Sequence, residues 1–304
     1  MRILIFGAGA IGSFLGGMLS VRHDVILVGR SEHMRAVRLH GLRITGKTAL
    51  IARPRTALRV PRDARPELIL VTTKAYDTAA AMRQLKPFAD RATFLTLQNG
   101  LDNPDVIART ARRVLAGTTA HGVTFAGPGN IRHAGVGDTV LGAWAGTGED
   151  DAVRVRDILV DAGIPARVSA DVRGELWAKV VVNASINPLA ALASVSNGRL
   201  VRDRRLLAVL EQVAREAVGV ARAEGAQVDA EETVHRAVLV ARRTASNRAS
   251  MLQDFDRHRR TEVDAITGAI VHAGGKHGIE TPLNCALLAL VKAREAALLE
   301  SGAA

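Results

Sequence analysis

Arg2-Ile3-Leu4-Ile5-Phe6-Gly7-Ala8-Gly9-Ala10-Ile11-Gly12 opens the chain, and its reading decides the fold. Arg2–Phe6 is an apolar run of the length of a buried parallel strand. It feeds without a linker into a G-x-G-x-x-G turn and then the apolar segment Ser13–Ser20, whose length suits one helical stretch. In that context each glycine has a task. Gly7 permits a tight turn, Gly9 lets backbone approach a pyrophosphate, and Gly12 lets helix and strand pack closely, so that phosphates meet the positive end of the helix. Gly7, Ala8, Gly9, Ala10, Ile11 and Gly12 are therefore cofactor-binding candidates; the competing reading is a glycine turn with only a structural role.

Working outward, a second strand is expected over Asp24–Gly29, ending at Arg30. An acid at that place binds the ribose 2′-hydroxyl of NAD, whereas an arginine pairs with a 2′-phosphate, so NADPH is the cofactor expected. Ser31 is the expected N-cap of a helix reaching about His40. The alternative for Arg30 is a solvated loop residue. Strands over Glu67–Thr73 and Thr93–Leu97 deliver Lys74 and Gln98-Asn99-Gly100 to the carboxyl edge of a parallel sheet, where ligands bind, although Asn99-Gly100 also suits an ordinary turn. Strand-like segments at Leu115–Thr124 and Thr139–Ala143, with Gly127-Pro128-Gly129 between them, read as an added hairpin region.

Beyond Asp171 the strand signal fades. Arg202–Glu224, Ala230–Arg243, Thr261–His277 and Leu283–Leu299 carry apolar residues at helical intervals, with breaks at Gly225, Gly278 and Pro282. The fold class expected is α/β: an N-terminal Rossmann-type dinucleotide-binding domain, residues 1–168, followed by an all-α C-terminal domain, residues 169–304. The 304 residues suffice for two cores.

Within the second half, Lys179-Val180-Val181-Val182-Asn183-Ala184-Ser185-Ile186-Asn187-Pro188 places one cation and two amides four residues apart. Four residues turn a helix by ~400°, so Lys179, Asn183 and Asn187 form one stripe on an apolar helix. Polar groups there need partners, and a polar ligand is one source; another helix or water is the other. Pro188 has no N–H and disfavours helix at Asn187, which predicts a kink or a stop there. Ser246–Asp264, reading SNRASMLQDFDRHRRTEVD, is polar within an apolar half. Ser250 falls in a short helical pattern and Asp254–Arg260 looks too charged to bury. Thr261 with Asp264 resembles a capping box, which places Glu262 in the first turn as an ionised carboxylate suited to a hydroxyl or a cation. A charged surface turn with a helix cap is the competing reading.

Taken together, GAGAIG, Lys74, Gln98-Asn99-Gly100, KVVVNASINPLAAL and SMLQDFDRHRRTEVDAITGAIV resemble the ketopantoate reductase (2-dehydropantoate 2-reductase) family, over essentially the whole chain. The resemblance implies NADPH-dependent reduction of a 2-oxo acid, ketopantoate to pantoate on the route to coenzyme A. It implies Lys179 as the general acid, and Asn183 and Asn187 as substrate-holding amides. By the same resemblance Asn99 lies between nicotinamide and substrate, Ser250 meets the substrate carboxylate and Glu262 its hydroxyl, while Arg30 and Lys74 hold the cofactor. The chemistry is consistent: hydride transfer to a ketone builds charge on oxygen that an ammonium stabilises and quenches. The rival readings are a relative acting on another 2-oxo acid, a non-catalytic NADPH-binding regulator, and a nucleic-acid-binding protein.

A net charge of +11 raises the last of these, but 35 of the 41 basic residues are arginines interleaved with acids and aromatics make up only 3% of the chain, so neither stacking platforms nor a nucleic-acid motif is present. No metal is expected, since the nine histidines form no HxH or HExxH pattern; His121, His133, His258 and His272 read as isolated core or surface residues. Cys285 is the single cysteine, which excludes an intramolecular disulfide and fits the cytoplasm. No signal segment or membrane span is expected, and the partner is a small 2-oxo acid bound by a monomer or homodimer.

Overall fold

Strand β1 (Arg2–Phe6) is buried at four of its five residues because both faces are covered: helix α1 (Ala10–Leu19) lies on one side and α3 (Thr78–Leu85) helps fill the other. Around it the computed structural model, which describes residues 1–301, builds a parallel sheet. Strands β2 (Asp24–Val28) and β5 (Arg55–Ala57) lie on one side of β1; β6 (Leu68–Val71), β7 (Thr93–Thr96) and β8 (Arg113–Thr119) lie on the other. All six run parallel. The direction of winding reverses between β1 and β6, which makes the crevice outside their carboxyl ends the natural ligand position. Helix α2 (Ser31–His40) follows β2, and α4 (Asn103–Ala108) follows β7.

The region expected as an added hairpin is divided between two sheets. Leu115–Thr124 is not one strand: β8 stops at Thr119, and β9 (Gly122–Gly127) turns through Pro128-Gly129 into β10 (Asn130–Gly135). These pair with β3 (Leu42–Gly46) and β4 (Leu50–Ala52) in a separate four-stranded sheet, ordered β4-β3-β10-β9. The chain then returns as β11 (Thr139–Ala145), antiparallel to β8, and α5 (Glu149–Asp161) leads to the short edge strand β12 (Ala166–Val168).

Helix α1 is sandwiched between the sheets, which explains why it carries no charge. A Cβ at Gly16 would stand 3.1 Å from Leu27 of the large sheet, and one at Gly17 would stand 2.8 Å from Ile44 of the small one. Its one buried polar side chain, Ser13, is satisfied by His33 Nε2 at 2.9 Å.

His121 and His133 are not isolated. They pair at 3.1 Å beside Phe14, and His133 Nδ1 also meets Thr48 Oγ1 at 2.9 Å. Burial, then the neighbouring His133, push His121 down to about 4, so the folded protein holds it neutral. The unfolded chain binds a proton near the ordinary 6.5, so stability is full above that value and is lost as pH falls toward about 4. Urea unfolding at pH 7.5 and 4.5 should show a deficit at the lower pH, to which His23, His33 and His133 also contribute and which His121→Gln, which cannot titrate, should reduce by roughly 2 kcal/mol. An equal deficit in both proteins would refute the assignment.

The chain divides into two compact units, residues 1–98 with 103–172, and residues 99–102 with the chain from Arg173 onward. The second unit is helical. Its spine is α6 (Val172–Ala193), followed by α7 (Asn197–Arg202), α8 (Arg204–Ala223), α9 (Ala230–Arg243), α10 (Ser250–Asp256), a π-helical turn at Asp264–Gly268, α11 (Ala269–Lys276) and α12 (Pro282–Ser301). The spine packs two ways. Val182, Ile186, Leu189, Ala190 and Ala191 enter one core cluster, and Trp177, Val180, Val181 and Ala184 enter another. Helix α6 is long and apolar enough to cross a membrane, but 78% of its apolar window is buried inside the protein, which reads as a core helix.

Four sequence expectations are corrected here. Of the kink or stop expected at Pro188, the stop does not occur: α6 runs on to Ala193, closing with Ser194 at φ +55° and a bond from Val195 N–H to Ala190 O. Proline costs a helix ~3 kcal/mol, and burying Ile186 and Leu189 at ~1.5–3 kcal/mol each offsets it. Asp254 is buried, because α10 turns Met251, Leu252 and Phe255 into the core and carries it along. The capping box does not form: Thr261 N–H donates to Glu295, Thr261 Oγ1 accepts from Val263 N–H at 3.3 Å, and Asp264 takes Lys292 and Arg260 instead. The N-cap of α2 is likewise Arg30, with Ser31 as the first helical residue.

Candidate functional site

In the first unit the glycine turn has the conformation its sequence implies. Gly7 lies at φ +116°, and a Cβ there would be 2.6 Å from Thr73 N; one at Gly12 would be 2.1 Å from Gly7 O. These two glycines bring β1, α1 and the exit of β6 together. Gly9 differs: a Cβ there meets nothing within 4 Å, so its lack of a side chain opens space rather than relieving contact. Gly9 is the N-cap of α1, no side chain caps it, and the first turn has no acid. An uncapped helix start beside open space fits a pyrophosphate. Ala8 and Ile11 pack against the core while Ala10 begins the helix.

Lys74 follows β6 and precedes a 3-10 turn over Ala75–Asp77, one strand from the glycine turn. Arg30 is exposed at the end of β2 as the N-cap of α2. Beside it lies a cleft of about 390 Å³ lined in part by Ser31, Arg35, Arg38, Thr56 and Leu58. Arg35 and Arg38 add cations that the sequence reading did not name; their spacing on α2 was visible, but Thr56 and Leu58 come from β5 and its exit, a strand too short and too polar to recognise.

In the second unit Asn183 Nδ2 reaches Asn99 Oδ1 at 3.5 Å, and Asn99 Nδ2 donates to Glu262 Oε2 at 3.2 Å. Asn187 Nδ2 approaches Ser250 Oγ at 3.4 Å. Asn187 and Glu262 are buried, Asn99, Lys179 and Asn183 partly so, and Ser250 is exposed. Burial pushes the Lys179 ammonium from 10.5 down to about 8, with the Glu262 carboxylate holding it up against that cost. Asn99 joins this unit because Gly100, at φ +98°, sits on the π-helical turn: a Cβ there would be 2.8 Å from Ala265 O. Ala265 and Ile266 N–H both donate to the Glu262 carbonyl, at 3.1 Å each, so one turn seats both Asn99 and Glu262. Among the described residues no group of three or more His, Cys, Asp or Glu gathers as a metal site.

A doubly wound parallel sheet with an open glycine turn, joined to a helical unit carrying a lysine among amides and a carboxylate, defines a nicotinamide-dependent oxidoreductase. Residues 3–146 match the family model "Ketopantoate reductase PanE/ApbA" and residues 171–295 match its C-terminal model. The 2-dehydropantoate 2-reductase of Archaeoglobus fulgidus is 40% identical, across 98% of this chain and 99% of that one; the Halobacterium salinarum enzyme of the same name is 41% identical, across 96% and 98%. The chain belongs to the ketopantoate reductase family. Among solved structures, a family member from Ralstonia eutropha superposes with TM-score 0.89 at 34% identity, covering 98% of this chain and 99% of that one. D-mandelate dehydrogenase with NADH and anilino(oxo)acetate superposes with TM-score 0.93 at 28% identity, with the same coverage.

Proposed function

We propose that this protein reduces 2-dehydropantoate to pantoate with NADPH, as a cytoplasmic enzyme, and that Lys179 is its general acid. The observation that carries the reading is the gathering in one unit of Lys179 and Asn183, on one stripe of the apolar helix α6, with Asn99 and Glu262 brought to them from outside that helix. Bound NADPH supplies the hydride that adds to the carbonyl carbon. The uncapped start of α1 and Lys74 hold its phosphates, and Arg30 pairs with the 2′-phosphate. The Lys179 ammonium meets the carbonyl oxygen, stabilises the charge that builds there and gives it a proton. Asn183 and Asn187 orient the substrate, Ser250 donates to its carboxylate, and Asn99 stands at the reacting end. Glu262 accepts from the distal hydroxyl.

Following NADPH oxidation by its near-ultraviolet absorbance with 2-dehydropantoate, with NADH and other 2-oxo acids alongside, tests this directly. Turnover that requires 2-dehydropantoate and prefers NADPH is expected. Turnover on a different 2-oxo acid would support the second reading, which the likeness to D-mandelate dehydrogenase favours: the same machinery with another substrate. Binding of NADPH without turnover on any oxo acid would overturn both.

Glu262 gives a sharper check. Glu262→Gln should raise KM for 2-dehydropantoate by about tenfold and leave KM for a 2-oxo acid lacking the distal hydroxyl nearly unchanged. Because the carboxylate holds the Lys179 pKa up, the same change should move the alkaline fall in kcat/KM to lower pH with either substrate. An equal rise in KM on both substrates would contradict the hydroxyl contact.

A further inference from the structure

Gln98 takes no part in the reaction above, yet it is only 6% exposed and its side chain is fully engaged. Its Nε2 donates to Thr73 O at 2.8 Å, Thr73 Oγ1 at 3.2 Å and Thr78 Oγ1 at 2.9 Å. Its Oε1 accepts from Thr96 Oγ1 at 2.9 Å. The Thr78 hydroxyl in turn donates a hydrogen bond to Asn103 Oδ1 at 2.8 Å. Thr73 and Thr78 are the two ends of the segment that carries Lys74 and its 3-10 turn, and Thr73 N lies where a side chain on Gly7 would have to go. One amide on β7's exit therefore ties down both ends of the loop that leaves the neighbouring strand, beside the phosphate-binding turn.

Volume alone does not explain the residue. A methionine fills the same space without burying a polar group, whereas a buried amide is tolerated only when its hydrogen bonds are made. Here every acceptor of the amide N–H groups belongs to the Lys74 segment. We propose that Gln98 is a positioning residue for the cofactor: it clamps the Thr73–Thr78 segment so that Lys74 is presented to the dinucleotide phosphates with little backbone freedom left to lose on binding. The proposal rests on Lys74 being a cofactor contact.

The test is a double-mutant cycle on the full chain, read as NADPH Kd by nicotinamide fluorescence and as KM for NADPH, with a thermal melt of every variant. Lys74→Ala should weaken NADPH binding by about tenfold or more, and Gln98→Met by about tenfold, with kcat at saturating NADPH changed by less than about twofold. In the Lys74→Ala background Gln98→Met should add less than about twofold, since the clamp has nothing left to present. Independent, multiplying effects would overturn the inference, as would unchanged NADPH affinity in a folded Gln98→Met protein while Lys74→Ala weakens it. If Gln98→Met does not fold, Thr78→Val, which opens one end of the clamp, should weaken NADPH by about threefold; wild-type affinity in that variant would overturn the inference. Undiminished affinity in Lys74→Ala would overturn it together with the Lys74 contact, and continued turnover in that protein would leave the reductase reading standing.

Discussion

Lys179→Ala should lower kcat for 2-oxo acid reduction by about 10³-fold, the usual worth of a positioned general acid, while NADPH binds as before because the glycine turn and Lys74 are untouched. Unfolding would not be the cause of the loss. The substitution removes a cation whose charged form burial disfavours, so the melting temperature should hold or rise. Lys179→Arg should restore the charge but little of the rate, since a guanidinium does not give up its proton. Stopped-flow reduction, an NADPH-binding titration and a parallel thermal melt check these four statements, and an active Lys179→Ala enzyme would overturn the assignment.

The pH profile carries the same claim. An ammonium that titrates at about 8 is the donor below that value and is lost above it. kcat/KM should therefore fall by about tenfold per pH unit on the alkaline side of about 8. Stability should move the opposite way. Between about 8 and 10.5 the unfolded chain holds a proton that the folded one has shed, so this lysine makes unfolding harder as pH rises through that window.

Gly12→Ala should be among the most damaging single-methyl additions in the chain. Its Cβ would stand 2.1 Å from Gly7 O and 2.5 Å from Thr72 Oγ1, so β1, α1 and the exit of β6 must all shift. A cost of about 3 kcal/mol is expected, with a fall of roughly 6–12 °C in Tm and loss of NADPH binding. Gly9→Ala is the contrast. Nothing lies within 4 Å of its Cβ, so Tm should change by less than about 2 °C while the methyl stands where a phosphate must approach and weakens NADPH. Equal destabilisation by the two substitutions would show that the turn glycines act alike.

Much of this was legible in residues close together in the chain. A strand, three spaced glycines and an apolar helix specify their own geometry, because each glycine answers a local steric demand. The stripe of Lys179, Asn183 and Asn187 follows from helical period alone. Its partners were harder to see. Asn99 is 163 residues from Glu262, and their meeting depends on Gly100 resting on a π-helical turn that an extra residue, not a visible motif, creates. The second sheet is hard to read from the sequence because β3 and β4 are only five and three residues long and β3 carries Arg43, Thr45 and Gly46 at its exposed positions.

The sequence by itself determined the two halves of this protein, the glycine turn, the cation at the end of β2 and the polar face of α6, all consequences of backbone sterics and periodicity within a few turns of chain. Only the tertiary structure decided that α6 continues through Pro188, that Asp254 is buried, that His121 finds His133, and that residues 99–102 belong with the helices that follow rather than the sheet they leave. Each of those outcomes is a balance between a local preference and the burial of apolar surface against distant elements. Where several large side chains are buried at once, the local preference yields.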